Sequence, residues 1–120
     1  QPVSLIDVYP SLVDLAGLEI PDWVDGTSIK QQLAKPTSPR PPAISSYGDG
    51  NTSIRTERWR YIRYEDGSEE LYDHDSDPHE WKNLAFTPEH QNIKRELAAA
   101  IPEQQHAGLK VQPWFDKHQQ

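Results

Sequence analysis

The apolar residues near the start of the chain recur at steps of three and four, which is the spacing of one helix face. They are Leu5, Val8, Leu12, Leu15 and Ala16. The pattern predicts a helix over residues 4–18, with Ser4 at its start and Gly17 in the left-handed position past its end. Pro10 predicts either a kink or the first turn of a second helix. A helix this apolar requires a partner surface from elsewhere.

Residues 21–42 are rich in proline and predict a connector that crosses a surface, with a short helix over residues 28–33. Four short runs rich in Ile, Tyr, Ser and Thr follow at residues 43–47, 53–55, 60–64 and 69–72. They predict a small antiparallel sheet. Asp66 and Gly67 favour a hairpin turn between the last two runs, because both residue types tolerate positive φ.

Two helix starts are predicted after the sheet. Asp77 followed by Pro78 is typical of an N-cap and first helical position, and indicates one or two turns over residues 77–83. Thr87 and Pro88 repeat the signal, and apolar residues at every fourth position extend a second helix to about residue 101. The remaining residues predict a tail that docks through Leu109, Val111, Trp114 and Phe115.

Composition and charge narrow the function classes. The chain has 120 residues, of which 34% are hydrophobic, so it fits one small domain with a thin core or a piece of a larger protein. Its 12 basic and 19 acidic residues give a net charge of −7, which disfavours nucleic acid as a partner. No stretch is apolar enough to predict a membrane span. Without cysteine there is no disulfide, thiolate zinc site or cysteine nucleophile, and Gln1 predicts a start inside a longer protein.

The acidic run Asp73, Asp75 and Asp77 invites a calcium interpretation, but the spacing fails the EF-hand template. Counted from Asp73, the sixth position is Pro78 and the twelfth is Leu84. The run therefore predicts a capped turn. The three histidines nearby, His74, His79 and His90, lack the spacing of a helical zinc pair and are predicted at the surface.

Arginines and aromatic residues cluster between residues 55 and 64 and leave two interpretations open. One or more of Arg55, Arg58, Arg60 and Arg63 could bind a sulfate or carboxylate group. Alternatively, they stack on aromatic rings and pair with carboxylates, for which the candidates are Glu57, Glu65, Glu69 and Glu70.

The loop over residues 47–52 also has two interpretations. It is either an ordinary hairpin turn or a loop whose Tyr47 and Asn51 hydrogen-bond a sugar.

Three stretches of the chain together resemble the end of type I sulfatases, members of the alkaline phosphatase superfamily. They are residues 3–18, residues 25–29 with the letters DGTSI, and residues 54–84, which include WRYIRY, ELYD and DPHEW. The order and spacing also match. Within the family, the chain is most similar to bacterial enzymes that resemble iduronate sulfatase.

The resemblance implies an α+β fold, a four-stranded antiparallel sheet with a packing C-terminal helix, docked onto an absent catalytic α/β domain. Residues 1–20 would be the last helix of that domain, 21–42 a connector, 43–104 the C-terminal subdomain and 105–120 a tail. The family's formylglycine nucleophile and calcium ligands lie in upstream motifs, and none of those motifs occurs here. The resemblance therefore implies no catalytic or metal residue in this chain, and an isolated chain without activity.

The resemblance further implies that the loop over residues 47–52 borders the substrate pocket, with Tyr47 and Asn51 as substrate-side residues. Relatives often carry His where this chain has Thr52, so that histidine's role is absent. The implied function is hydrolysis of sulfate esters, with sulfated carbohydrates as substrates and export to a periplasm or cell surface. Two alternatives remain: a phosphonate or phosphate ester hydrolase of the same superfamily, and a non-catalytic carbohydrate-binding module.

Overall fold

The computed structural model describes residues 1–102, so the predicted docking of the tail lies outside the described residues. Three α-helices and four strands follow one another along the chain, with one turn of 3-10 helix before α1 and another before α3. The helices are α1 (Val8–Leu15), α2 (Lys30–Ala34) and α3 (Gln91–Ala98). The strands are β1 (Ala43–Tyr47), β2 (Asn51–Arg55), β3 (Trp59–Arg63) and β4 (Glu69–Asp73). Each helix within residues 1–102 is too short or too polar to span a lipid bilayer.

The four strands form one antiparallel sheet in the order β1-β2-β3-β4. Its register places Ile54 opposite Tyr61 and Tyr61 opposite Leu71, and all three side chains are buried. Because successive side chains point to opposite faces of a strand, this row defines the core face of the sheet. Leu97 of α3 belongs to the same core cluster. The predicted α+β architecture, a four-stranded antiparallel sheet with a packing C-terminal helix, is confirmed.

A polar contact at the edge of this core ties α3 to the sheet. The Tyr61 hydroxyl donates to one carboxylate oxygen of Glu69 at 2.5 Å, and the Lys94 ammonium of α3 donates to the other at 2.7 Å. Burial and the Glu69 carboxylate both raise the pKa of the Tyr61 phenol, while Lys94 and Tyr61 lower the pKa of Glu69. The phenol therefore stays protonated as a donor, and the buried polar atoms are satisfied.

The turn between β3 and β4 is built by Tyr64, Asp66 and Gly67. The Gly67 amide donates to the Tyr64 carbonyl at 3.0 Å, and Gly67 has a φ of +82°. Among the described non-glycine residues only Glu80 has a positive φ, so Asp66 does not use the left-handed conformation. Its carboxylate instead accepts the backbone amide and hydroxyl of Ser68 at 2.9 and 2.7 Å. The predicted hairpin is confirmed, with the left-handed residue at Gly67 alone.

The helix predicted over residues 77–83 is wrong, because this segment forms turns. Glu80 has a φ of +58°, a left-handed conformation that interrupts a right-handed helix. Asp77 still serves as a cap, since its carboxylate accepts the Lys82 amide at 2.8 Å. The Glu80 carboxylate is directed at the sheet, where it contacts His74 and Arg60. Side-chain pairing across the fold therefore overrides the local helix signal.

The N-terminal segment follows the second of the two predictions for Pro10. A 3-10 turn over Leu5–Asp7 precedes α1, and Pro10 lies in the first turn of α1. Gly17 ends the segment with a φ of +72°, as predicted. The apolar face of this segment is open: Leu5 is 89% exposed and Leu12 is 62% exposed. The apolar side chains that predicted this helix are thus not covered by any other segment within residues 1–102.

Candidate functional site

The face of the sheet opposite the core carries the candidate site. Its central row runs across the strands through Ser45, Ser53, Ile62 and Glu70, which are Cα partners in register. Because α3 packs on the core side, this row belongs to the other face. Glu80 covers one end of this face by contacting Arg60. The opposite end, near the β1–β2 turn, is open.

A groove of about 450 Å³ lies at this open end. It is lined by Ser45, Ser46, Tyr47, Asn51, Thr52, Ser53, Ile62 and Tyr64. The structure therefore brings the two predicted residues, Tyr47 and Asn51, to one groove. The Tyr47 side chain is 80% exposed, so its ring is accessible at the rim. We name this feature the tyrosine groove.

The polar side-chain atoms of Asn51 hold the loop in place and are engaged in hydrogen bonds within the protein. Its side-chain amide donates to the carbonyls of Tyr47 and Asp49 at 3.0 and 3.3 Å, and its carbonyl accepts the Glu65 amide at 3.2 Å. Gly50 permits this close packing, because a Cβ there would lie 3.0 Å from the Cα of Glu65. Asn51 thus couples the β1–β2 turn to the β3–β4 turn, while Tyr47 is the accessible side chain of the pair.

Tyr64 forms the second aromatic wall of the tyrosine groove, and Glu70 fixes its position. The Tyr64 hydroxyl donates to one oxygen of Glu70 at 3.1 Å, and the Tyr72 hydroxyl donates to the other at 2.9 Å. Burial and the Glu70 carboxylate raise the pKa of Tyr72 to about 12, and the same two causes raise the pKa of Tyr64. Both phenols therefore remain hydrogen-bond donors at neutral pH, with Glu70 as the shared acceptor.

The arginine cluster is largely committed to protein partners. Arg58 donates through two nitrogens to Asp73, both at 2.8 Å, and lies 4.8 Å from the centre of the Trp59 ring. The Arg58 hydrogen bonds lower the pKa of Asp73 to about 2, although burial of the carboxyl opposes the shift. Arg60 pairs with Glu80 at 3.2 Å. The stacking and pairing interpretation is favoured, with Asp73 and Glu80 as partners that were not among the predicted carboxylates.

His74 is half-buried between two charged groups, so its predicted surface position is wrong. Its Nδ1 lies 2.7 Å from the Arg55 guanidinium, and its Nε2 lies 2.6 Å from the Glu80 carboxylate. A guanidinium can only donate, so Nδ1 accepts and the Nε2 hydrogen is donated to Glu80. Arg55 also donates to the carbonyls of Thr56, Glu57 and Trp59. This network closes the end of the open face away from the tyrosine groove.

The described residues do not fit the calcium and formylglycine implied by the family resemblance. Within residues 1–102, no group of three or more acidic, His or Cys side chains could hold a metal ion. Of the acidic run, Asp73 is occupied by Arg58, and Asp77 accepts the Lys82 amide. The chemistry available here is aromatic stacking and hydrogen bonding by hydroxyl groups, and no step through a metal or formylglycine can be assigned to these side chains.

The sequence interpretation missed Tyr64 and Glu70 as parts of the candidate site. A signal was present, because Ile62 and Tyr64 share one face by alternation and the hairpin places Glu70 opposite Ile62. The strand register was needed to connect the two residues to Tyr47. No local motif marks them.

Comparisons with known proteins agree with this architecture. Residues 1–107 match the family model "N-sulphoglucosamine sulphohydrolase, C-terminal". A protein named Sulfatase from Formosa agariphila is 35% identical over 102 residues, covering 84% of this chain and 20% of its own length. Arylsulfatase K of Homo sapiens is 36% identical over 99 residues, which cover 69% of this chain and 18% of that protein's length. The chain therefore spans about a fifth of the length of these relatives.

A solved sulfatase structure is similar to this chain in both sequence and fold. The structure described as a 2-O GAG sulfatase is 34% identical to this chain, with a TM-score of 0.65. The superposition covers 78% of this chain and 22% of that one. The similarity thus covers most of this chain, and it again corresponds to a limited part of a longer protein.

Proposed function

Because the chain belongs to the N-sulphoglucosamine sulphohydrolase C-terminal domain family, we propose that it ends a longer sulfatase that hydrolyses sulfate esters of carbohydrates. The observation that carries the proposal is the match over residues 1–107 to a domain that is C-terminal in sulfatases. The preceding part of the protein would supply the nucleophile and the metal ligands. The narrower similarity to iduronate sulfatase stays a prediction.

The open apolar face of α1 and of the 3-10 turn before it supports the presence of a larger partner domain. Leu5 and Leu12 are mostly exposed, and Leu15 is 52% exposed. Burial of such side chains contributes about 25 cal/mol per Å² of apolar surface, so a packed position for α1 is strongly favoured. In this proposal residues 1–20 close the catalytic domain, 21–42 connect, 43–104 form the subdomain and 105–120 form the tail.

The proposed role of the subdomain is to complete the fold and to border the substrate pocket with the tyrosine groove. Tyr47 would contact a sugar ring through its exposed side chain, and Asn51 would hold the loop that presents it. The charged network of Arg55, His74 and Glu80 would remain structural, because its members are already paired.

The full-length protein tests this proposal through the release of inorganic sulfate from sulfated oligosaccharides. Parallel assays with a phosphate monoester and a phosphonate monoester test the alternative hydrolase of the same superfamily. Sulfate release at much higher kcat/KM than phosphate or phosphonate cleavage is the expected result. Preference for a phosphorus ester would overturn the assignment of the reaction.

The variant Tyr47→Ala in the full-length protein tests the role of the groove. Loss of one aromatic contact should lower kcat/KM for an oligosaccharide by about two- to tenfold, mainly through KM. Trp81→Ala is a matched control, because Trp81 is also exposed but stacks on His79, outside the groove. Equal effects of the two variants would contradict a substrate contact at Tyr47.

A further inference from the structure

We propose that the tyrosine groove binds an uncharged sugar ring next to the sulfated one and excludes a sulfate or carboxylate group from that position. This inference rests on the proposed function, because it concerns the sugar beside the reacting ester. Tyr64 and Glu70 would be the specificity-determining residues. The geometry that leads to it is the combination of two tyrosine walls, an uncharged lining and a carboxylate held behind one wall.

The lining of the groove offers no counter-charge for an anion. Its side chains are hydroxyl, amide, aromatic and aliphatic groups, and none is basic. A sulfate or uronate placed there would lose water without gaining a cation, which is unfavourable even in a partly open groove. Sugar hydroxyl groups, in contrast, match the hydroxyls of Ser45 and Ser53 on the groove floor.

The charged groups around Tyr64 on the groove side are negative, while Arg63 lies on the other face of the sheet by strand alternation. The Glu70 carboxylate lies 3.1 Å from the Tyr64 hydroxyl, and the adjoining surface on the far side of Tyr64 is lined partly by Glu65 and Asp66. Like charges brought together at an interface oppose binding, and this effect suppresses wrong partners more than it strengthens right ones. The electrostatics of the groove therefore select against an anionic sugar.

The nearby cations on this face are held away from the groove. Arg60 pairs with Glu80, and Arg55 donates to His74 and to backbone carbonyls at the other end of the sheet. Neither arginine lines the groove. A sulfate in the groove would have to break these paired contacts to recruit a guanidinium.

The two tyrosines provide what an uncharged ring needs. Tyr47 is accessible at the rim, while Tyr64 is fixed through its hydroxyl by Glu70. A rigid aromatic wall stacks on the C–H face of a sugar at little entropic cost, because the ring is already held in one orientation. Glu70 therefore has two effects: it positions Tyr64, and it contributes negative charge.

The test uses the full-length protein and two sulfated disaccharides that differ only in the neighbouring sugar, a neutral hexose or a uronate. The wild-type protein should show a higher kcat/KM for the neutral substrate. Glu70→Gln keeps the side-chain shape and removes the charge, so it should reduce the ratio of the two kcat/KM values by about tenfold. Tyr64→Phe retains the ring and should change this ratio less than Tyr64→Ala, which removes the wall.

Direct binding separates this inference from the proposed function. The full-length protein is titrated with unsulfated neutral and uronate disaccharides, and binding is measured by calorimetry without any turnover. Tighter binding of the neutral sugar, weakened by Tyr64→Ala but not by Trp81→Ala, supports the groove even if sulfate release fails. Equal affinity for both sugars, or an unchanged preference in Glu70→Gln, overturns the inference. Absence of sulfate release from every substrate overturns the proposed function alone.

Discussion

Breaking the ion pair between Asp7 and Arg40 should weaken the attachment of the connector to the N-terminal segment. The two side chains approach to 2.7 Å, and each is only 7% exposed. Asp7 also accepts the backbone amides of Thr27 at 2.9 Å and Ser4 at 2.8 Å. One carboxylate thus joins the N-terminal segment to two points of the connector that are distant in sequence.

The magnitude follows from the burial of both partners. Removal of one member of a buried, hydrogen-bonded ion pair leaves a desolvated charge and costs about 3–5 kcal/mol. Arg40→Met should therefore destabilise this region by about that amount. Replacing both residues, as in Asp7→Leu with Arg40→Met, removes both charges and should cost clearly less than the sum of the single changes. The coupling between the two sites is the signature of the pair.

Urea denaturation of the full-length protein, followed by tryptophan fluorescence, measures these effects. Trp23 in the connector stacks on Tyr9 of α1 with ring centres 5.8 Å apart, so its emission reports on this contact. Lys30→Met is the matched control, because the pair of Lys30 with Asp14 has the same 2.7 Å distance but is more exposed. A control variant as destabilised as Arg40→Met, or strictly additive single changes, would refute the role of burial.

Two further predictions concern the stability of the fold. Arg58 holds the pKa of Asp73 at about 2, so the stability from this pair should be complete above about pH 4 and lost as the pH falls towards 2. Unfolding midpoints measured over a pH series should show this loss. In Arg58→Met the midpoint should depend less on pH over the same range. Gly26→Ala should lower the thermal midpoint, because a Cβ there would lie 2.1 Å from the Ile6 carbonyl oxygen. Gly17→Ala is its control, since that Cβ meets nothing within 4 Å and the substitution costs only the left-handed strain of about 1–2 kcal/mol. Equal midpoints for the two alanine variants would contradict the close approach at Gly26.

The sheet was predictable because its signals are local. Alternation and turn residues predicted β1 with its observed bounds, and the other strands within two residues. The start of β2 at Asn51 was missed because Asn51 pairs with Tyr47 across a turn whose length depends on the two left-handed glycines Gly48 and Gly50. Glycine in a loop indicates that the backbone can adopt many conformations, but the strand register that follows from the loop is set by the partner strand.

Residues 77–83 were misjudged for a different physical reason. Asp followed by Pro starts helices and turns equally well, because both need a side-chain acceptor for free amides. The turn is favoured over the helix by Glu80, whose carboxylate contacts His74 and Arg60 on the sheet. Such pairing is invisible along the chain. The same limitation hid Tyr64, which lines one groove with Tyr47, and Glu70, which accepts the Tyr64 hydroxyl, because only the register of the strands brings them together.

Two uncovered surfaces within residues 1–102, the N-terminal apolar face and the tyrosine groove, differ in chemistry, and the difference bears on their roles. The first surface is mainly aliphatic, with Leu5 before α1 and Leu12 and Leu15 within α1 exposed. Tyr9 is also exposed there, and its ring stacks on Trp23. An apolar face of this kind is typical of a surface that packs against another protein segment. The tyrosine groove instead combines tyrosine rings with the hydroxyls of Ser45 and Ser53, which can orient a polar ligand. Under the proposed function, mutations on the first surface should therefore lower stability, and mutations in the groove should raise KM.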